Sequence, residues 1–194
     1  MKSPSYIPAL LIGAALAVTP ALAQTSTAGS SSQAGMSATS TANGNVASSD
    51  RKFIKEAAEG GLAEVELGEL ALQKASSDEV KKFGQRMVDD HSKASDELKQ
   101  VAGSKGVDLP TGLSAKDKAT KERLSHMSGA DFDKAYMQDM VKDHRKDVAE
   151  FQKESSSGSD PEVKQFASKT LPKLQEHLQT AESIAPKTSG GGSR

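Results

Sequence analysis

From Asp50 to Ala185 apolar residues return every three or four positions and almost never every second one. That spacing admits helices and argues against sheets. The clearest run is Val80, Gly84, Met87, His91, Ala94, Leu98 and Val101, which alternates steps of four and three. This is the period of helices packed side by side in a bundle.

Local punctuation divides the segment into four long helices and one short one. The first is expected to start after Asp50, acting as N-cap, and to run to about Ala75. Its apolar face carries Phe53/Ile54, Ala57/Ala58, Gly60/Gly61, Val65, Leu67/Gly68 and Ala71/Leu72. Each helical glycine costs about 1 kcal/mol against Ala, which makes sense where another helix packs very close. A capping box, Ser76-x-x-Glu79, opens the second helix, which runs to about Ser104. The stretch Lys105 to Leu113, with Gly106, Pro110 and Gly112, reads as a loop. A box at Ser114-x-x-Asp117 starts the short helix. Another at Ser128-x-x-Asp131 starts the third long helix, with its seam at Phe132, Tyr136/Met137, Met140, His144, Val148 and Phe151. Asp160-Pro161 opens the fourth, with its seam at Val163, Phe166/Ala167, Leu171, Leu174, His177/Leu178, Ala181 and Ile184.

Connection lengths set the topology. Tight turns make the first and second helices antiparallel neighbours, and likewise the third and fourth. The link between the two pairs contains a short helix of about 14 residues, which at 1.5 Å per residue covers roughly 20 Å. It is long enough to cross the bundle and make the second and third long helices parallel, while the simpler up-down-up-down bundle stays open. The expected class is therefore all-α: a ferritin-like four-helix bundle with a short extra helix in the crossover.

The flanks differ from this core. Lys2, the apolar run Ile7 to Val18 and the A-x-A pattern Ala21-Leu22-Ala23 read as a signal peptide over 1–23, cleaved near Ala23. The run is too short to span a bilayer, which takes roughly 20 residues. Residues 24–49 are Ser-, Thr-, Ala- and Gly-rich and read as a disordered spacer; 186–194 read as a disordered tail. The domain is 50–185, and the expected destination is the periplasm or the exterior. The net charge is −1, with 25 Lys and Arg against 26 Asp and Glu, so no basic excess exists for a nucleic-acid partner. Cysteine is absent. That removes disulfides, thiolate metal sites and cysteine nucleophiles.

Four polar residues stand where the seams call for apolar ones: Glu64, His91, His144 and His177, each near the middle of its helix. Helices of similar length put their midpoints at one level, so the four converge inside the bundle. Imidazole and carboxylate together ligate zinc, iron, copper or manganese, and bundle interiors are where helical proteins build such sites. If the ion is copper, Met87 and Met140, four residues before His91 and His144, join the set; methionine at this spacing is more often a core filler. The competing reading is a buried polar network without metal. The Glu-x-x-His pairs of di-iron bundles are absent, since Val88, Val141 and Leu174 stand three residues before the histidines. Each histidine follows an acid (Asp90, Asp143, Glu176). Adjacent helical residues face different ways, so these acids serve a neighbour's histidine if they serve any. Gln-x-Met-Val-x-Asp-His-x-Lys occurs twice, from Gln85 and from Gln138, which suits a duplication or two helices in matched roles and decides neither.

Several separated motifs resemble those of a bacterial exported family, domain-of-unknown-function family 4142. They are Gly61-x-x-Glu64-x-x-x-Gly68, Met87-x-x-Asp90-His91, Leu109-Pro110, Phe132-Asp133-x-x-Tyr136, Met140-x-x-x-His144 and Leu171-Pro172-x-Leu174-x-x-His177-Leu178. The resemblance spans roughly Arg51 to Ala185. It implies a ferritin-like bundle in the cell envelope and implies no reaction. Three functions follow as expectations: a non-enzymatic, stress-related envelope protein with protein partners there; a metal-binding bundle for sequestration or sensing; and a metal-dependent oxidoreductase. No nucleophile motif, P-loop or dinucleotide fingerprint is present, and the cofactor, if any, is a transition metal.

Overall fold

The computed structural model describes residues 46–185. The expected signal peptide, the tail and most of the expected spacer lie outside those residues. Five helices and no strand occur among the described residues: α1 (Ser48–Lys74), α2 (Asp78–Ser104), α3 (Ala115–Ser125), α4 (Gly129–Ser157) and α5 (Pro161–Ile184). The last residues of the expected spacer belong to the fold, because α1 begins at Ser48 and Val46 is buried against Phe53 and Ile54.

Long-range contacts at the helix ends fix the topology. Ser76 and Ser77, in the α1–α2 turn, donate to the Asp133 carboxylate at the start of α4 at 2.6–3.0 Å. At the other end Lys105, after α2, pairs with Asp160 and Glu162 at the start of α5, at 2.8 Å each. So α4 starts where α2 starts, α5 starts where α2 ends, and α2 runs parallel to α4. This is the one-crossover arrangement, with α1 beside α4 and α2 beside α5. The α3 helix lies over the α1–α4 face through Lys121–Glu66 (2.8 Å), Lys116–Asp143 (3.4 Å) and Arg123–Asp139.

Two caps differ from expectation. The α1 N-cap is Ala47, with no side-chain hydrogen bond, not Asp50. The buried Asp50 carboxylate instead accepts from the Ser159 and Asp160 backbone N–H groups at 3.0 and 2.6 Å. It thereby ties the start of α1 to the start of α5. The α2 N-cap is Ser77, whose hydroxyl accepts from Glu79 N–H; Ser76 is spent on Asp133. In both cases a partner distant in sequence outcompeted the local cap. Ser114 and Asp160 cap α3 and α5 through their side chains as expected. Ser128 caps α4 by position only.

The apolar interior falls into two clusters. One contains Leu67, Phe83, Met87, Phe132, Tyr136 and Met140. The other contains Phe53, Ile54, Leu98, Phe151, Phe166 and Leu174. Between them in sequence on every long helix stands one buried polar residue: Glu64, His91, His144 or His177.

The α1 glycines do not share one purpose. At Gly68 a Cβ would stand 2.6 Å from the Gly84 carbonyl oxygen, and at Gly84 it would stand 2.9 Å from Ala71 Cβ. There α1 and α2 touch backbone to backbone. At Gly60 the nearest atom would be Asp147 Oδ1 at 4.0 Å, so that glycine leaves space open, while at Gly61 a Cβ would press on the Ser95 side chain, with Oγ at 3.3 Å. Gly68→Ala and Gly84→Ala should each destabilise the fold by about 1–3 kcal/mol through overpacking. Gly103→Ala, where the new methyl meets nothing within 4 Å, should be neutral or stabilising by up to about 1 kcal/mol. Urea denaturation of the three variants checks this; equal effects at all three would contradict the close α1–α2 approach.

Candidate metal centre

Parallel α2 and α4 present their repeated motif at one level, and the carboxylate of Glu64 on α1 lies against both histidines. His91 Nδ1 is 2.9 Å from Glu64 Oε2, and His144 Nδ1 is 3.2 Å from Glu64 Oε1. His144 Nδ1 is also 3.0 Å from the Met140 carbonyl oxygen, one turn earlier. From α5, His177 sets Nε2 at 2.9 Å from Asp90 Oδ2 and Nδ1 at 3.4 Å from His144 Nε2. The three imidazole centroids lie 5.3–5.7 Å apart. His144 and His177 are fully buried, and Glu64 and His91 are 4 % and 5 % exposed.

Proton positions follow from the partners. Carboxylate and carbonyl oxygens only accept, so the rings present an N–H at His91 Nδ1, His144 Nδ1 and His177 Nε2, and His91 carries a second proton on Nε2 when it is charged. The opposite nitrogens are therefore turned inward. His144 Nε2 and His177 Nδ1 face each other as lone pairs when both rings are neutral, and His91 Nε2 is buried without a hydrogen-bond partner. Glu64 Oε1 is similarly unpartnered, because the His144 N–H is aligned on Met140 rather than on it. One ring nitrogen from each of His91, His144 and His177 lies within 4.8 Å of one from each of the others.

Charge is distributed unevenly. Burial by itself raises the Glu64 carboxyl, but the surrounding imidazoles, His91 foremost, outweigh it and bring it down to about 2. Burial lowers His91, and the Glu64 carboxylate more than compensates, so His91 ends above its ordinary value. His144 ends below it, through burial and the nearby His91. His177 falls to about 4, because burial and its two fellow histidines outweigh its bond to Asp90. One imidazolium beside one carboxylate, with two neutral rings, is the state this geometry favours. Outside them Arg86 grips Asp90 at 3.4 Å and Glu176 at 2.6 Å, holding the acid that orients His177.

The four residues picked from the seams thus surround one point, in two roles. The histidines turn nitrogens inward, and Glu64 stands behind His91 and His144 as an orienting carboxylate. Such outer partners fix ring orientation and ligand basicity in metal sites. Met87 and Met140 are fully buried in the apolar cluster, and the atom Met140 brings to the histidines is its carbonyl oxygen. Asp90 was legible only as the acid of an Asp-His pair, and it does serve a neighbour's histidine. Asp143 pairs with Lys116, and Glu176 pairs with Arg86 and Lys173. Two residues escaped the seam reading. Phe83 sets its ring edge-on to His144 and His177 with centroids 6.3 and 6.5 Å away. Asp147, three residues after His144, is raised well above the ordinary aspartate range by burial and by Glu64. Its i, i+3 spacing from His144 was the available signal. A cavity of about 20 Å³ adjoins Glu64 and His91 and is bordered by Gly60, Gly61 and Asp147, space for about one water molecule.

The family model described as a domain of unknown function, DUF4142, matches residues 35–184. Among curated proteins none matches the sequence. A crystal structure of a DUF305 fragment from Deinococcus radiodurans is similar in fold, with a TM-score of 0.64 at 14 % identity, covering 72 % of this chain and 96 % of that one. CopM in its Cu(I)-bound form aligns with a TM-score of 0.58 at 18 % identity, covering 69 % and 93 %. CopM in a silver-bound form gives 0.57 at 18 % identity, over the same shares. At these identities the likeness establishes the fold.

In metal-free protein the three interior histidines should titrate apart: His91 above 6.5, His144 below it and His177 near 4. A histidine depressed on folding contributes stability that is complete above 6.5 and is lost as pH falls toward its folded value. A raised one contributes below 6.5 and loses it as pH rises through its folded value. Two depressed rings against one raised ring predict a net loss of stability from pH 6.5 to 4, with His177 alone supplying roughly 3 kcal/mol. Proton NMR titration of the ring Cε1–H signals tests the order; three midpoints clustered at 6.5 would contradict it.

Proposed function

This chain belongs to the DUF4142 family, and we propose that its domain is a transition-metal-binding bundle, serving sequestration or sensing, that holds one ion through His91, His144 and His177. The observation that carries this is the facing pair His144 Nε2 and His177 Nδ1, 3.4 Å apart with both protons committed elsewhere. Two lone pairs at that distance repel unless something positive lies between them. Two nitrogens each about 2.0 Å from one tetrahedral ion stand roughly 3.3 Å apart. The third donor is His91 Nε2, buried and unpartnered. Three imidazoles suit zinc and copper more than calcium or magnesium. That CopM, of similar fold, has Cu(I)- and silver-bound forms is in keeping with an ion of this class. The N-terminal signal pattern supports placing this activity in the periplasm or outside the cell.

Protein stripped with chelator should take up one zinc or copper ion per chain and release a proton from His91 as it does so. At an ion concentration about 100 times the Kd the fold should gain roughly 2.7 kcal/mol, read as a rise in Tm. His144→Ala and His177→Ala should abolish uptake. Glu64→Gln, which keeps the ligands and weakens their orientation, should cost roughly 10- to 100-fold in affinity. A Tm indifferent to added zinc and copper, with no ion retained after dialysis, would return the cluster to a purely structural network.

A further inference from the structure

We propose that cations reach the histidine centre through the acidic cleft between α1, α4 and the first turn of α3, past a partition made by Gly60, Glu64 and Asp147. The proposal rests on the metal-binding reading and adds the path to it. The histidines are all but closed to solvent, so an ion needs a way in. A cleft of about 150 Å³ opens on the α1–α4 face, and its lining includes Glu56, Glu59, Asp117, Asp143 and Asp147. Its two lysines are already engaged, Lys116 with Asp143 at 3.4 Å and Lys146 with Glu150 at 3.0 Å. Neither neutralises Glu59 or Asp147 by a direct pair. A cleft whose lining is acidic on balance concentrates cations and speeds their arrival.

The cleft is continuous in its lining with the interior. Gly60, Glu64 and Asp147 border both it and the cavity of about 20 Å³ that adjoins His91. The partition has no side chain at Gly60, where the nearest atom to a Cβ would be Asp147 Oδ1 at 4.0 Å. Glu64, nine-tenths buried, lines both spaces and keeps Oε1 free of any hydrogen bond. An ion crossing the partition thus passes the Glu64 carboxylate, which has one oxygen without a hydrogen bond. The opposite face is unfavourable, because there the Arg86 guanidinium lies over Asp90, the partner of His177. The groove between α2 and α5 that carries Glu97, Glu162 and Lys169 touches neither Glu64 nor any histidine.

Stopped-flow loading of the metal-free full chain with Co(II), followed by its visible absorption, tests the route. The paired variant Glu59→Gln/Asp147→Asn, close in shape to the original, should load about threefold to tenfold more slowly at low salt. The difference should shrink near 1 M salt, where the screening length is about 3 Å. Gly60→Leu should slow loading at both salt concentrations, since it obstructs the partition. Glu97→Gln should load at the wild-type rate, and all variants should reach the same cobalt stoichiometry. Cleft variants that load as fast as wild type to the same end point overturn the route while leaving the histidine centre standing. Wild-type protein that takes up no cobalt, zinc or copper overturns the centre and the route with it.

Discussion

A carboxylate as buried as Glu64 has to be partnered, and much of the bundle's register follows from how that is done. Removing a buried ion from water costs several kcal/mol, and breaking such a pair by deleting one member costs about 3–5 kcal/mol. Glu64 meets the requirement with the His91 ring at Oε2, 2.9 Å away, and with the His144 ring lying 3.2 Å from Oε1 without a hydrogen bond to it. That fixes α1, α2 and α4 at one height. The fourth helix is set by a separate link, His177 to Asp90. Sliding any long helix by one turn, about 5.4 Å, would pull a ring off its acceptor and push a polar residue into one of the apolar clusters on either side. The polar layer is thus a registry device whatever else it does, and each cluster is short enough to depend on it.

Small residues on α1 decide where neighbours come close and where they do not. Gly68 meets Gly84 across the α1–α2 contact, which draws those two helices together on one side of the layer. Gly60 and Gly61, two turns earlier, leave α1 thin where the cavity beside His91 lies. The same residue type therefore closes the bundle at one level and opens it at another. The difference is whether a backbone or a side chain stands opposite.

The parts of this arrangement that depend on one helix were legible in the amino-acid sequence. Histidine at a mid-seam position is conspicuous because Met87 and Leu98, or Met140 and Phe151, frame it at bundle spacing. The length of the link that contains α3 allowed the one-crossover topology beside an up-down-up-down bundle, and the contacts at the helix ends decide between them. What escaped depends on partners far apart in the chain. Asp50 precedes a helical stretch and suits an N-cap, yet its carboxylate is taken by backbone N–H groups 109 and 110 residues away. Ser76 starts a good capping box and is used instead by Asp133. Nothing in local propensity ranks such competitors, since the winning contact exists only once the bundle is assembled. The division of Glu64 from the histidines into orienting group and donors was hidden for the same reason: it turns on which ring nitrogen faces which oxygen.

The duplicated motif of α2 and α4 acquires its meaning from the asymmetry between its two copies. Both copies place Nδ1 of their histidine beside Glu64. In α4 that N–H is taken by the Met140 carbonyl instead, whereas in α2 the contact to Glu64 is the shorter one. His91 is therefore the ring that carries charge in balance with Glu64, and His144 is left neutral with its lone pair opposed to that of His177. A sequence selected for stability alone would relieve that opposition with a donor or an apolar side chain. Local violations of good packing and pairing concentrate where a protein has work to do. Here the violation consists of inward-turned imidazole nitrogens that no other group among the described residues satisfies, and the proposed ion would satisfy them together once His91 gives up its second proton.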